Sequence, residues 1–473
     1  MASFSALSAV DMAEGLTAGR WTSEALVSDC LSRIQSHNPR INAFCQVYED
    51  AALEAARASD AARARGEGLP PLSGVPVAVK DLTDTAGLVT ERGSRLFRGK
   101  VPTRDAPIVE RLKASGAVIV GKTTTPELGW KGGSNSPLTG PTRNPWNPAL
   151  TSGGSSSGSG AALAARLVPV ALGSDGGGSV RIPASFCGVF ALKGSLGRIP
   201  NAPASTTEAL TCCGPMSVTV RDSALLFDLL KGPHPADHLS LPDEATSYLE
   251  VCARPPEGLR IAFAPSLFDR RVDAGVAAVV ETAVARIAAG LPLDVEQPEL
   301  ALDDPFEAFE TIWVAGRGLA YGHLTVGREA EVDPGFLKLV EASKRYRLED
   351  WLAAMRQRAA FTASVERLFE DWDLLVCPTI PGPPFAAEDD LPPEQAERDS
   401  PVAWARWTPF TPPFNLSGHP AASVPVGFTP EGLPVGLQVV GPRFADARVL
   451  QFCAAVEALL PWRDRLPPFL EAA

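Results

Sequence analysis

Three short apolar runs constrain this chain more than anything else in it: Val75 to Val79, Ala117 to Val120 and Val168 to Leu172. Each is strand-sized, and helical patterns lie between them. Upstream, Leu26, Cys30, Leu31 and Ile34 recur at helical spacing from Thr22 to about His37, and Pro39 is the expected stop. A second, Ala-rich helix is expected from about Glu49 to Arg65, before Leu69-Pro70-Pro71-Leu72-Ser73-Gly74 breaks the pattern. A helix around Ala106 to Ser115 and a small-residue helix from Gly160 to Arg166 complete the alternation, which implies an α/β sheet. Asp373 to Pro378, Ala421 to Phe428 and Gly432 to Gly441 read as further strands, whereas the stretch from about Leu239 to Arg358 alternates helical segments with polar breaks and carries no motif.

A chain of 473 residues with 45% apolar content can bury a sizeable core, in one large α/β domain or in several average ones. The net charge of −12 leaves no extended basic surface. The densest basic clusters, Arg270-Arg271 and Lys344, Arg345 and Arg347, are too small to grip a phosphate backbone, so no nucleic-acid partner is expected. No uncharged apolar run approaches the roughly 18 residues of a membrane span, and Met1-Ala2-Ser3-Phe4 lacks the basic start of a secretory signal. The expectation is a soluble cytoplasmic protein with no membrane partner. Eight cysteines without any CxxC suggest buried free thiols rather than a disulfide framework or a metal site, and no cofactor is expected.

Three segments could carry chemistry. Gly116 to Thr123 matches the phosphate-loop pattern GxxxxGK[ST], but that loop needs a strand before its first glycine and a helix after its lysine. Here the β-branched run lies inside the motif and Pro126 follows closely, so nucleotide binding is rejected. Gly154 to Gly158 fits GxSxG and would make Ser156 the nucleophile of a histidine-dependent hydrolase. Irregular chain, Asn144-Pro145-Trp146-Asn147-Pro148, precedes it where a strand is required, and of five histidines only His419 lies near a strand-forming segment in the expected order.

The third combination, Lys80, Ser155 and Ser179, works without a histidine. Ser179 closes the run Gly173-Ser174-Asp175-Gly176-Gly177-Gly178-Ser179 directly after a strand, so the N–H groups of Gly176, Gly177 and Gly178 can converge as an oxyanion hole. Lys80 ends the apolar run Val75 to Val79, where desolvation favours its neutral, basic form. Taken singly, a Gly-Ser run is an ordinary linker and a lysine after a strand ordinarily points to water.

Together these segments resemble the amidase signature family. Gly153 to Gly158, Gly173 to Pro183, Cys187-Gly188 and Gly74 to Asp81 look like that family's two serine loops and lysine strand, and Gly140 to Trp146 and Gly432 to Gly441 extend the likeness over nearly the whole chain. The resemblance implies one α/β/α domain over 1–473 with a large mixed central sheet flanked by helices: an N-terminal helical segment to about 70, a signature core over 71–200, and a variable helical region over about 239–358 near the substrate. It also implies that Ser179 forms an acyl-enzyme, that Ser155 bridges it to Lys80 through a cis peptide, and that Ser156, Asp175 and Arg181 support the loops. Three positions depart from the usual wording: Ser157, Gly176 and Gly194.

Members of the family include the ammonia-releasing component of glutamyl-tRNA amidotransferases and stand-alone amidases. Stand-alone action on a small amide or carbamate with an apolar or aromatic group is the expectation, because the arginine-rich wording of the transamidase component is missing from Glu341 to Arg367. Gly129 and Trp130 are expected near the substrate, and Phe306, Phe309, Trp313, Trp404, Trp407 and Phe410 are further candidates for an apolar pocket. A homodimer is left open. A non-catalytic binding protein would be expected to have replaced one of the three relay residues, and all three are present.

Overall fold

The computed structural model describes residues 4–395 and 400–471. Its strands, in chain order, are β1 (Phe44–Val47), β2 (Pro76–Lys80), β3 (Val118–Thr123), β4 (Arg143–Asn144), β5 (Asn147–Thr151), β6 (Val170–Asp175), β7 (Phe190–Lys193), β8 (Cys212–Ser217), β9 (Arg260–Phe263), β10 (Asp294–Glu296), β11 (Leu374–Pro378), β12 (Ala421–Phe428) and β13 (Pro434–Val440). Eleven of them form one mixed sheet in the order β1-β3-β2-β6-β8-β7-β12-β13-β11-β9-β10, and β4 and β5 make a separate hairpin. This is the expected α/β architecture, with helices on both faces.

Strand pleating sorts the side chains. Val77 and Val79 face a core built with the helices Val220–Leu230, Ala274–Gly290 and Asp446–Leu459, while Ala78 faces one built with Ser23–Ile41 and the small-residue helix Ser157–Ala164. Farther along the sheet Leu374 and Val376 join the first core, and Leu375 and Cys377 join a third under the helices Phe306–Thr325, Pro334–Ser343 and Leu348–Asp371.

One sequence expectation is corrected and another is met. The first long helix passes Pro39 and ends two residues later, at Ile41, where left-handed Asn42 (φ 52°) returns its N–H to the Asn38 carbonyl at 2.7 Å. The phosphate-loop lookalike is a sheet strand: Val118–Thr123 is β3, and Lys122 is buried against the Thr83 carbonyl and the hydroxyls of Thr85 and Thr90. The motif-poor middle of the chain contributes β9 and β10 at one end of the sheet besides its helices.

Candidate active site

Two neighbouring parallel strands build the site. β2 and β6 pair in register, Val77 with Val170 and Val79 with Leu172, and the Lys80 side chain at the end of one reaches Ser174 farther along the other. The Ser152 to Ser157 segment then crosses the strand ends. Lys80 Nζ sits 2.8 Å from Ser155 Oγ, 3.0 Å from Ser156 Oγ and 3.1 Å from Ser174 Oγ. The Gly154–Ser155 peptide is cis. Ser156 ties the two serine loops together, its N–H donating to the Ser179 carbonyl at 3.0 Å.

Lys80 is fully buried, and among the described residues its hydrogen-bond partners include hydroxyls but no carboxylate. Burial pushes its ammonium down to about 7; the more distant Asp175 carboxylate opposes that shift and the Arg317 guanidinium reinforces it. Near neutral pH a substantial fraction of this amine is therefore unprotonated and able to accept a proton. The GxSxG alternative receives no support from His419, whose Nδ1 is 2.9 Å from Ser417 Oγ and whose ring lies against Phe369. Burial pushes that imidazole down to about 3.

Behind the glycine run lies a dense polar anchor. Asp175 receives the Arg181 guanidinium at 3.0 Å on each of its oxygens, Asn415 Nδ2 at 2.9 Å and the Gly178 N–H at 2.6 Å. Although burial alone would raise the Asp175 carboxyl, the Arg181 charge holds it well below the usual carboxylate range. Arg181 also donates to Gln438 Oε1 at 2.7 Å and to the Thr411 carbonyl at 2.9 Å. Gly178 is left-handed (φ 121°), and a Cβ there would lie 2.2 Å from Thr411 Oγ1.

The Gly178 N–H is thus committed to Asp175. This departs from the expectation of three glycine donors: the loop's own anchor consumes one of them. Cβ atoms on Gly176 and Gly177 would fall 3.0 Å from Trp313 and 2.8 Å from Trp404, so the aromatic cluster of Phe309, Trp313 and Trp404 packs directly against this loop. Gly129 lies against the serine loop, where a Cβ would sit 3.1 Å from Ser155 Oγ. Trp130 turns into the core against Phe336, and its carbonyl accepts the Trp313 indole N–H at 3.1 Å.

A cavity of about 120 Å³ opens beside Lys80, with Ser174, Cys213, Thr211, Leu128 and Arg317 among its walls. Its wall includes Leu128 but neither Gly129 nor Trp130. Reading the sequence missed Ser174, Thr411, Asn415, Gln438 and Arg317. Two of these had a usable signal: Gln438 is the lone polar side chain in Val435 to Val440 apart from glycine, and Arg317 is the lone charge in Trp313 to Ala320.

Fold and site together define a hydrolase-like α/β protein with a buried lysine held among serine hydroxyls at the edge of a glycine loop. Comparison with known proteins gives the family. The Amidase family profile matches residues 25–450. The chain is 36% identical to an acylamidase of Rhodococcus erythropolis over 98% of this chain and 97% of that one. It is 35% identical to a glutamyl-tRNA(Gln) amidotransferase component from Chloroflexus aurantiacus, over 96% of each. It superposes on the solved structure of 6-aminohexanoate cyclic dimer hydrolase with a TM-score of 0.90 at 30% identity, covering 98% of this chain and 99% of that one. The protein belongs to the amidase family and is a hydrolase of amide bonds.

Proposed function

We propose that the protein cleaves its amide through an acyl-enzyme, with Ser179 as nucleophile, Ser155 as proton relay and Lys80 as the base. Ser179 Oγ attacks the carbonyl carbon while its proton passes to Ser155 and the Ser155 proton passes to Lys80. The carbonyl oxygen, now an anion, is received by the N–H groups of Gly176, Gly177 and Ser179, the donors of this run other than the one bonded to Asp175. Collapse breaks the C–N bond, and the proton returns through Ser155 to the departing amine. Water then attacks the ester, losing its proton along the same route, and releases the acid and Ser179. The observation that carries this reading is the 2.8 Å contact between Ser155 Oγ and a buried lysine whose ammonium lies near 7.

The acyl donor is a small amide, with carbamates and esters open to the same acyl chemistry. Packing of Phe309, Trp313 and Trp404 against the glycine loop supports a substrate with an apolar or aromatic group, as does the acylamidase relative. A second reading, a glutaminase that delivers ammonia to a partner protein, is favoured by the amidotransferase relative. Glutamine hydrolysis that appears only with a partner protein would select it over hydrolysis of a simple anilide or phenyl carbamate by the chain alone.

Peptide mapping after treatment with a serine-directed phosphonylating reagent tests the mechanism. The expected outcome is one adduct on Ser179, formed at least about 10³-fold more slowly in Lys80→Ala. An adduct on Ser156, or labelling unchanged without Lys80, would sink the relay.

A further inference from the structure

Arg317 does not fit the economy of the rest of the interior. It projects from the helix Phe306–Thr325 into the cavity beside Lys80 and is only 8% exposed. One guanidinium nitrogen, Nη1, donates to the Leu128 carbonyl at 2.7 Å, and the group lies 4.0 Å from the centre of the Trp313 ring. Its Nε is buried without a partner, and among the described residues no carboxylate reaches it as an ion pair. Among the described residues the only acidic side chain in the cavity wall is Asp84, which is already bound by Arg92 at 2.9 Å. The wall therefore carries two guanidinium groups against one carboxylate, and the excess charge, Arg317, is one that bears on Lys80.

A buried cation with no counter-ion is unfavourable, and an anion that enters the cavity removes that penalty. A guanidinium offers a planar fork that matches a carboxylate with two parallel hydrogen bonds. Hydroxyls of Ser205 and Thr211, 3.1 Å apart, and the Asn201 amide line the same cavity and can complete a carboxylate's shell. From these observations we infer that Arg317 is the specificity-determining residue of this enzyme and that its preferred amide carries a carboxylate, seated in the cavity against Arg317. The inference rests on the proposed site and narrows the substrate: an apolar or aromatic body beside the glycine loop, and an anionic end.

The charge also bears on catalysis. Arg317 is one of the groups that keep the Lys80 ammonium low, so it acts on the base as well as on the substrate.

Two matched pairs test the inference. One carries the acid on the acyl side, succinic acid 4-nitroanilide and its methyl ester; the other carries it on the amine side, 4-acetamidobenzoate and its methyl ester. In at least one pair the acid should be hydrolysed with kcat/KM about 10- to 100-fold above its ester, as expected for hydrogen bonds to a charged group. In Arg317→Gln that ratio should fall to within about threefold of one, chiefly through KM, and Arg317→Lys should restore part of it. A wild-type ratio near one in both pairs, or a preference that survives Arg317→Gln, overturns the assignment even if Ser179 is labelled normally. A chain that hydrolyses none of the four amides tells against the proposed activity instead. Butyrate against butyramide, titrated by tryptophan fluorescence because Arg317 covers Trp313, then decides the inference alone: saturable binding of the anion only, lost in Arg317→Gln, supports it, and no such binding overturns it.

Discussion

The region that anchors the glycine loop and the region that walls the cavity each bury an arginine, and they treat it in opposite ways. Arg181 is surrounded by acceptors from distant parts of the chain: Asp175, Thr411, Asn415 and Gln438. Arg317 has one carbonyl and the face of an indole. A fully partnered buried charge holds backbone in place, and here it fixes the turn that presents Gly176 to Ser179. A charge left short of acceptors beside a reactive group is suited to a ligand. Burial and residue type are the same in both places; the acceptor inventory separates structure from recognition.

Replacing each arginine with an unbranched apolar side chain is the sharpest way to break that comparison. Arg181→Met leaves Asp175 as an unpaired buried carboxylate and should cost about 3–5 kcal/mol of stability. Arg317→Met removes a charge that has no counter-ion and should be neutral or stabilising by about 1 kcal/mol. Denaturant unfolding of both variants measures the difference, and equal losses would erase the distinction. Next in size is Gly178→Ala, which forces a Cβ onto Thr411 and into a left-handed backbone. It should cost about 1–3 kcal/mol and lower kcat by more than it changes KM. If kcat is untouched, the Asp175 anchor does not position the loop for chemistry.

The smallest effect concerns pH. The proposed base works only when neutral, and its folded ammonium is depressed to about 7, so kcat/KM should be full above that value and lost as pH falls through it. Removing the Arg317 charge takes away a repulsion on the Lys80 ammonium, so in Arg317→Gln the acid limb should move to higher pH. A limb that stays in place would separate Arg317 from the base and leave only its role toward substrate.

Much of this site was legible without coordinates because its first members are packed into short segments. Lys80 closes an apolar run, and Ser155, Ser156, Asp175, Ser179 and Arg181 fall within two small-residue stretches whose composition leaves few alternative uses. Their partners were not legible. Asn415 reaches Asp175 across 240 residues of chain, and Thr411 reaches Gly177 across 234. Some strands were equally hidden. β8 (Cys-Cys-Gly-Pro-Met-Ser) contains a glycine and a proline that argue against a central strand, yet it lies between β6 and β7 with Pro215 opposite Leu172. β9 is four residues long and takes its place from neighbours β11 and β10.

The sequence by itself determined the class of the fold, through strand-sized apolar runs alternating with helical patterns, and it singled out a lysine and two serines as the candidates for acyl chemistry without histidine. Those are local properties of periodicity, chain flexibility and functional-group type. Tertiary structure decided what the local pattern could not: that the lysine is dry enough for its ammonium to lie near 7, that one glycine N–H is spent on Asp175, and that Arg181 is saturated while Arg317 is not. Each depends on which groups from remote segments arrive within a few ångströms, because solvation and acceptor supply are properties of the assembled surroundings and not of the residue.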